Sequence, residues 1–132
     1  METTATILHA NLDAFYASVE QLLDPSFERQ ADRRWQRGCA RRFLRSQALW
    51  GCRGRELCPQ LTFVSGHFKD YQRLGDAAIK VLCEFAPLVD PISIDEAFAD
   101  VAACTHLFGP PAEIATMLRR RVRTELGLPI LC

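Results

Sequence analysis

Two adjacent carboxylates, Asp95 and Glu96, interrupt an apolar run, with Pro91-Ile92-Ser93-Ile94 before them and Ala97-Phe98-Ala99 after. A run this short, broken by two polar residues, reads as a strand, a tight turn and a second strand. At the turn of such a hairpin the two side chains point to opposite sides of the pleat. One can then bind a hard divalent cation inside a cleft while the other approaches it from the rim. The dipeptide is common, and from spacing alone its plainer reading is a hydrated turn with no chemistry. A second stretch bears on the choice: Ile7 to Glu20, ILHANLDAFYASVE, reads as a buried strand that runs straight into a helix. Asp13 is placed to cap that helix, Phe15, Val19 and Leu22/Leu23 follow its spacing, and Asp24-Pro25 ends it.

Together the two stretches resemble the Y-family (translesion) DNA polymerases, of the bacterial DNA polymerase IV and UmuC-like kind. That family has a strand ending in Asp-x-Asp, then x-Phe-(Phe/Tyr)-Ala-x-Val-Glu, and about eighty residues later Ser-Ile-Asp-Glu-Ala-Phe. Both motifs are present in order and at that distance, and similar wording extends over Glu56 to Gly66, Tyr71, and Phe108 to Pro129. The resemblance implies two Mg²⁺ ions held by Asp95 and Glu96, by the backbone carbonyl of Leu12, and by the first acid of Asp-x-Asp. In this chain that first position is Asn11, an amide that keeps a coordinating oxygen but loses the charge Mg²⁺ prefers. The resemblance also puts Phe15 and Tyr16 at the nucleotide. Tyr16 takes the place of the steric gate, the ring under the incoming sugar where a ribose 2′-hydroxyl would clash. From the residues alone, both rings read as ordinary core.

Around these residues the pattern gives an α+β fold, a palm-like antiparallel sheet backed by helices. Leu61 to Val64 reads as a short strand. Phe68, Tyr71, Leu74, Ala78, Val81/Leu82 and Phe85 form one face of a helix ending before Pro87, with Lys69, Arg73 and Lys80 on its solvated side. Pro87 to Ile94 and Ala97 to Val101 make the acidic hairpin. Pro110-Pro111 opens a last helix with Ile114, Leu118 and Val122 inward, and Gly127-Leu128-Pro129 stops it. Arg119-Arg120-Arg121 and Arg123 read as its exposed side, or as a DNA contact. His9, His67 and His106 share no ligand spacing and are expected to be structural.

Composition bounds the rest. The 132 residues, 48% of them apolar, suffice for one domain with a modest core, and the formal charge is zero. No global basic field therefore announces nucleic acid. Six cysteines without a C-x-x-C pair, no apolar run long enough for a bilayer and no signal-like start lead us to expect a cytoplasmic protein without a membrane partner. The basic residues are uneven: 14 of 16 are Arg, and nine of those lie between Arg29 and Arg55. Glu28 to Glu56 also holds both Trp and no Val, Ile, Thr, Tyr, Lys or Pro, which leaves little material for a strand. Arg interleaved with Trp is suited to phosphate and base contacts. The alternative is a finger segment read in a shifted frame. Moving the frame by one nucleotide over Glu28 to Cys52 can yield family-like wording, and Trp35-Gln36 and Trp50-Gly51 are then forced to give Gly.

The expectation is thus a partial UmuC-like palm and fingers domain over residues 1–132, aberrant at 28–56, with thumb and little-finger domains absent. The family function is template-directed nucleotidyl transfer past damaged bases, on a DNA primer-template with dNTP. A sliding clamp or other translesion proteins are further expected partners. The chain alone is expected to be inactive. Two alternatives stay open: a non-catalytic polymerase-like subunit of a translesion complex, and a degenerate gene product without a function.

Overall fold

The computed structural model describes residues 5–27, 64 and 66–132. The Arg-rich stretch at 28–56 and the strand read at Leu61 to Val64 fall outside these residues, apart from Val64, which is exposed and in no strand. In chain order the described elements are β1 (Ile7–Leu12), α1 (Phe15–Leu23), α2 (Phe68–Phe85), β2 (Leu88–Ser93) and β3 (Glu96–Asp100). A 3₁₀ turn (Ala102–Cys104), α3 (Thr105–Phe108), α4 (Pro111–Leu126) and β4 (Ile130–Leu131) complete the chain. The four strands form one antiparallel sheet in the order β2-β3-β1-β4.

Alternation along the strands decides which face the helices cover. Ala10, Leu12, Ala97 and Ala99 are buried, whereas Ile7, His9 and Phe98 between them are exposed. Small alanines on the inner face let α2 and α4 lie close to the sheet. Their seams are Tyr71, Leu74, Gly75, Ala78, Val81, Leu82 and Phe85 on α2 and Ile114, Ala115, Leu118 and Val122 on α4, both at helical period. Phe15, Leu82, Ile114, Leu118 and Leu128 are shut off from solvent. Each such side chain contributes about 1.5–3 kcal/mol relative to an exposed one. Among the described residues no helix is long and apolar enough to cross a membrane.

Three sequence readings need correction. Asp13 does not cap α1: Ala14 does, in a left-handed conformation (φ 46°, ψ 45°), without a side-chain cap bond. The backbone of Asp13 is engaged elsewhere, its N–H donating to the Pro129 carbonyl at 3.0 Å and its carbonyl accepting from Ser18 Oγ at 3.1 Å. Phe68 begins α2 at the helix end, beyond the reach of the sheet, and is exposed instead of inward. Arg121 is not simply solvated. It pairs with Glu84 on α2 and with Glu125 at 2.9 Å, and lies 5.5 Å over the Phe85 ring. These partners hold its guanidinium well above the ordinary arginine range, chiefly through the hydrogen bond to Glu84. Arg119, Arg120 and Arg123 are exposed as read.

Candidate active site

The acidic hairpin turns at Ile94-Asp95, and two contacts fix that turn over the end of β1. The Leu12 N–H donates to the Asp95 carbonyl at 2.8 Å, and Ser93 Oγ donates to Asp95 Oδ1 at 2.7 Å. From the other side Gly75 of α2 backs the turn: a Cβ there would stand 2.4 Å from the Ile94 carbonyl oxygen. Only glycine lets helix and turn approach so closely. Asp95 therefore sits in the turn itself, where strand alternation does not set its direction. Glu96 begins β3 and is the register partner of Asn11. Directly opposed residues share a face, so Asn11 and Glu96 lie together on the side of the sheet away from the buried alanines.

His9 joins them from the same face, two residues before Asn11. Its Nε2 lies 2.5 Å from Glu96 Oε1, and its ring lies 4.9 Å from that of Phe98. Spacing among the histidines gave no sign of this role. The period-two alternation of β1 would have given it once the pairing of Asn11 with Glu96 was known.

Of the residues read as a cation site, Asn11 and Glu96 are register partners and the Leu12 N–H is bonded to the Asp95 carbonyl. As a donor set this group is one negative charge short of what the family resemblance implies for a pair of Mg²⁺ ions. It offers two carboxylates and an amide, one carboxylate is already engaged by His9, and no group of three or more His, Cys, Asp or Glu able to hold a metal exists among the described residues. The position that lacks its charge is Asn11.

The aromatic half is built on α1. Ala14's left-handed turn swings the chain from β1 directly into the helix, placing the buried Phe15 in the core and the half-buried Tyr16 beside it, ring centroids 5.6 Å apart. Tyr16 packs at 4.7 Å against Tyr71 of α2. One turn further along α1, Glu20 is buried and accepts hydrogen bonds from the Tyr71 hydroxyl, from the His67 N–H at 3.3 Å and from His67 Nδ1, 2.9 Å from Oε2. Burial pushes the Glu20 carboxyl up, but the bonds from Tyr71 and His67 outweigh it and hold it below the usual value. Burial, and then the bond to Glu20, push the Tyr71 phenol up to about 12. A cavity of about 390 Å³ opens beside Tyr16, Glu20 and Tyr71. Sequence reasoning missed Glu20 and His67. The available signal was a phenol, Tyr71, on an otherwise apolar helix face, which needs a buried acceptor.

An antiparallel sheet with a carboxylate hairpin beside its first strand, and an aromatic pair opening the next helix, defines a polymerase palm. The comparisons with known proteins agree. Residues 45–132 match the model of the impB/mucB/samB family, and the chain belongs to that family, within the Y-family DNA polymerases. It is 64% identical to DNA polymerase IV 2 of Mesorhizobium japonicum over 98% of this chain and 33% of that protein. It is 35% identical to DNA polymerase IV of Desulfatibacillum aliphaticivorans over 96% of this chain and 34% of that protein. The chain thus spans about a third of the length of these relatives. Among solved structures, a DinB family error-prone DNA polymerase from Sulfolobus solfataricus superposes with a TM-score of 0.77 at 19% identity, over 94% of this chain and 38% of the other. An insertion ternary complex of Dbh DNA polymerase gives 0.75 at 16%, over 94% and 40%.

Proposed function

We propose that this chain carries the palm of a translesion DNA polymerase, with its nucleotide-facing rings in place and its catalytic cation site weakened at Asn11. The activity such a palm serves in a whole polymerase is template-directed nucleotidyl transfer past damaged bases, on a primer-template with dNTP. A divalent metal held at the cation site would supply stabilisation of charge on the attacking and leaving oxygens. Of this chain's own groups, Asp95 and Glu96 provide the anionic oxygens, the Leu12 carbonyl and the Asn11 amide add neutral ones, and Ser93 orients Asp95. Phe15 fixes the start of α1 in the core, and Tyr16 lies under the sugar as the steric gate.

The observation that carries this reading is the register pairing of Asn11 with Glu96, at the family's metal position but without its charge. Two carboxylates in place of three weaken the cation site by roughly several kcal/mol, the scale on which metals act in these transition states. We therefore expect no efficient extension of a DNA primer by the 132-residue chain. Extension that an Asp95→Ala change abolishes would overturn the assignment of Asn11. The same residue favours one further reading, a polymerase-like subunit of a translesion complex kept for contacts. Capture of a polymerase or sliding clamp by the purified chain would select it.

A further inference from the structure

We propose that Glu20 and His67, acting through Tyr71, are positioning residues for the Tyr16 ring, so that selection of deoxyribose over ribose depends on a buried carboxylate one helical turn away. The inference rests on the reading of Tyr16 as the gate. A carboxylate in the place of Glu20 is costly unless every lone pair finds a donor, and an apolar residue would pack the same seam at lower cost. Here the donors are supplied: the Tyr71 hydroxyl, the His67 N–H and His67 Nδ1 all converge on it. What such a network provides, and an apolar contact does not, is direction. It fixes the hydroxyl of Tyr71 and with it the plane of a ring wedged among Tyr16 at 4.7 Å, Phe15 at 6.3 Å and Phe68 at 6.4 Å.

The surroundings make that fixing matter. Tyr16 borders the 390 Å³ cavity, so open space is available to its ring and Tyr71 is the packed neighbour that limits its swing. Across from the Tyr71 hydroxyl stands Gly66, where a Cβ would lie 3.2 Å from that oxygen. The segment before α2 thus leaves room for the phenol to reach Glu20. A gate discriminates by a clash that a small rotation would relieve, and misplacement of about 1 Å is enough to cost two orders of magnitude in a positioned reaction.

The test uses the fact that the chain has two tyrosines, both in this cluster. The full chain is labelled with 3-fluorotyrosine and its ¹⁹F lines are followed in Mg²⁺ with dATP or ATP, for wild type, Tyr71→Phe, Glu20→Gln, Glu20→Ala and Tyr16→Ala. Circular dichroism reports the fold of each. In Tyr71→Phe the remaining line is Tyr16's, and it is expected to shift and broaden as the ring gains freedom. Glu20→Ala should do the same to that line, and Glu20→Gln, which keeps an acceptor for Tyr71, should do so less. The ratio of dATP to ATP affinity should fall about tenfold in Tyr71→Phe and Glu20→Ala, equivalent to about 1.4 kcal/mol. An unmoved Tyr16 line with an unchanged ratio in those two variants, while Tyr16→Ala erases the preference, would leave the gate standing and overturn the positioning. A preference that survives Tyr16→Ala would overturn the gate and this inference with it; where the lines answer neither nucleotide, the Tyr16 line alone decides, and if it is unmoved in Tyr71→Phe and Glu20→Ala the positioning is overturned.

Discussion

At the residue scale the site divides into a half that has kept its charges satisfied and a half that has lost one. Glu20 is the clearer half, because its partners make it a pH-dependent contributor to stability. Its carboxyl is held below the usual value in the fold, so the stabilisation is fully present above the unfolded value near 4.3 and is lost as pH falls through the folded one. Glu20→Ala leaves the Tyr71 hydroxyl and the His67 donors without their acceptor and is expected to cost about 1–3 kcal/mol at neutral pH. Its denaturation midpoint should respond less to acid than that of wild type. Tyr71 behaves in the opposite sense. Its phenol is pushed up to about 12, so the stabilisation it gives is present below the unfolded value near 10 and is lost as pH rises through 12. Absorbance titration should show a late phenolate step that Tyr71→Phe removes, and its persistence in that variant would refute the assignment.

At the element scale the site depends on how closely α2 lies against the hairpin. Gly75 has no space for a side chain, since the atom a Cβ would meet at 2.4 Å is the Ile94 backbone carbonyl, which cannot rotate away. Gly75→Ala should therefore push the helix and the Asp95 turn apart and destabilise the fold by about 1–3 kcal/mol, measurable by urea unfolding, and should weaken any cation bound at Asp95. Much of this architecture was legible beforehand. The apolar periods of α2 and α4, the Pro-Pro start and Gly stop of α4, and the two-stranded reading around Asp95-Glu96 all returned as elements. The failures have local causes. Asp13 has capping chemistry, but its backbone is held by Pro129 and Ser18, so the helix starts one residue later through a strained Ala14. Phe68 has the right period, but periodicity does not say where along a helix the sheet ends. The contacts of His9 with Glu96 and of His67 with Glu20 depend on the register between β1 and β3 and on the packing of α1 on α2, neither of which a linear pattern encodes.

At the scale of the whole molecule the question is how much of a polymerase a palm can be. The Arg cluster from Arg29 to Arg55 is the first test. If it arose by frame slippage, any DNA binding it gives should be weak, indifferent to sequence and steeply reduced by salt, as counterion release dictates. Retention of a sequence preference at moderate salt would mark a selected recognition segment. The second test separates cation binding from turnover. Asn11→Asp restores a third carboxylate opposite Glu96, which concerns a few side chains on adjacent strands, and should raise Mn²⁺ affinity near Asp95 and Glu96. Incorporation demands more: a triphosphate clamped by finger residues and a primer oxygen held in line about 3–3.5 Å from the reacting phosphorus. The relatives that the chain matches are about three times its length, and we propose that clamp and grip draw on the parts of those proteins that this sequence does not span. Affinity and turnover should therefore part. Four proteins compared by Mn²⁺ titration and primer extension decide it: the chain, its Asn11→Asp form, and a protein of the relatives' length carrying a family-like finger segment with Asn or Asp at that position. Only the last should extend a primer efficiently. Extension by the Asn11→Asp chain alone would show that the palm needs neither the finger segment nor the remaining domains.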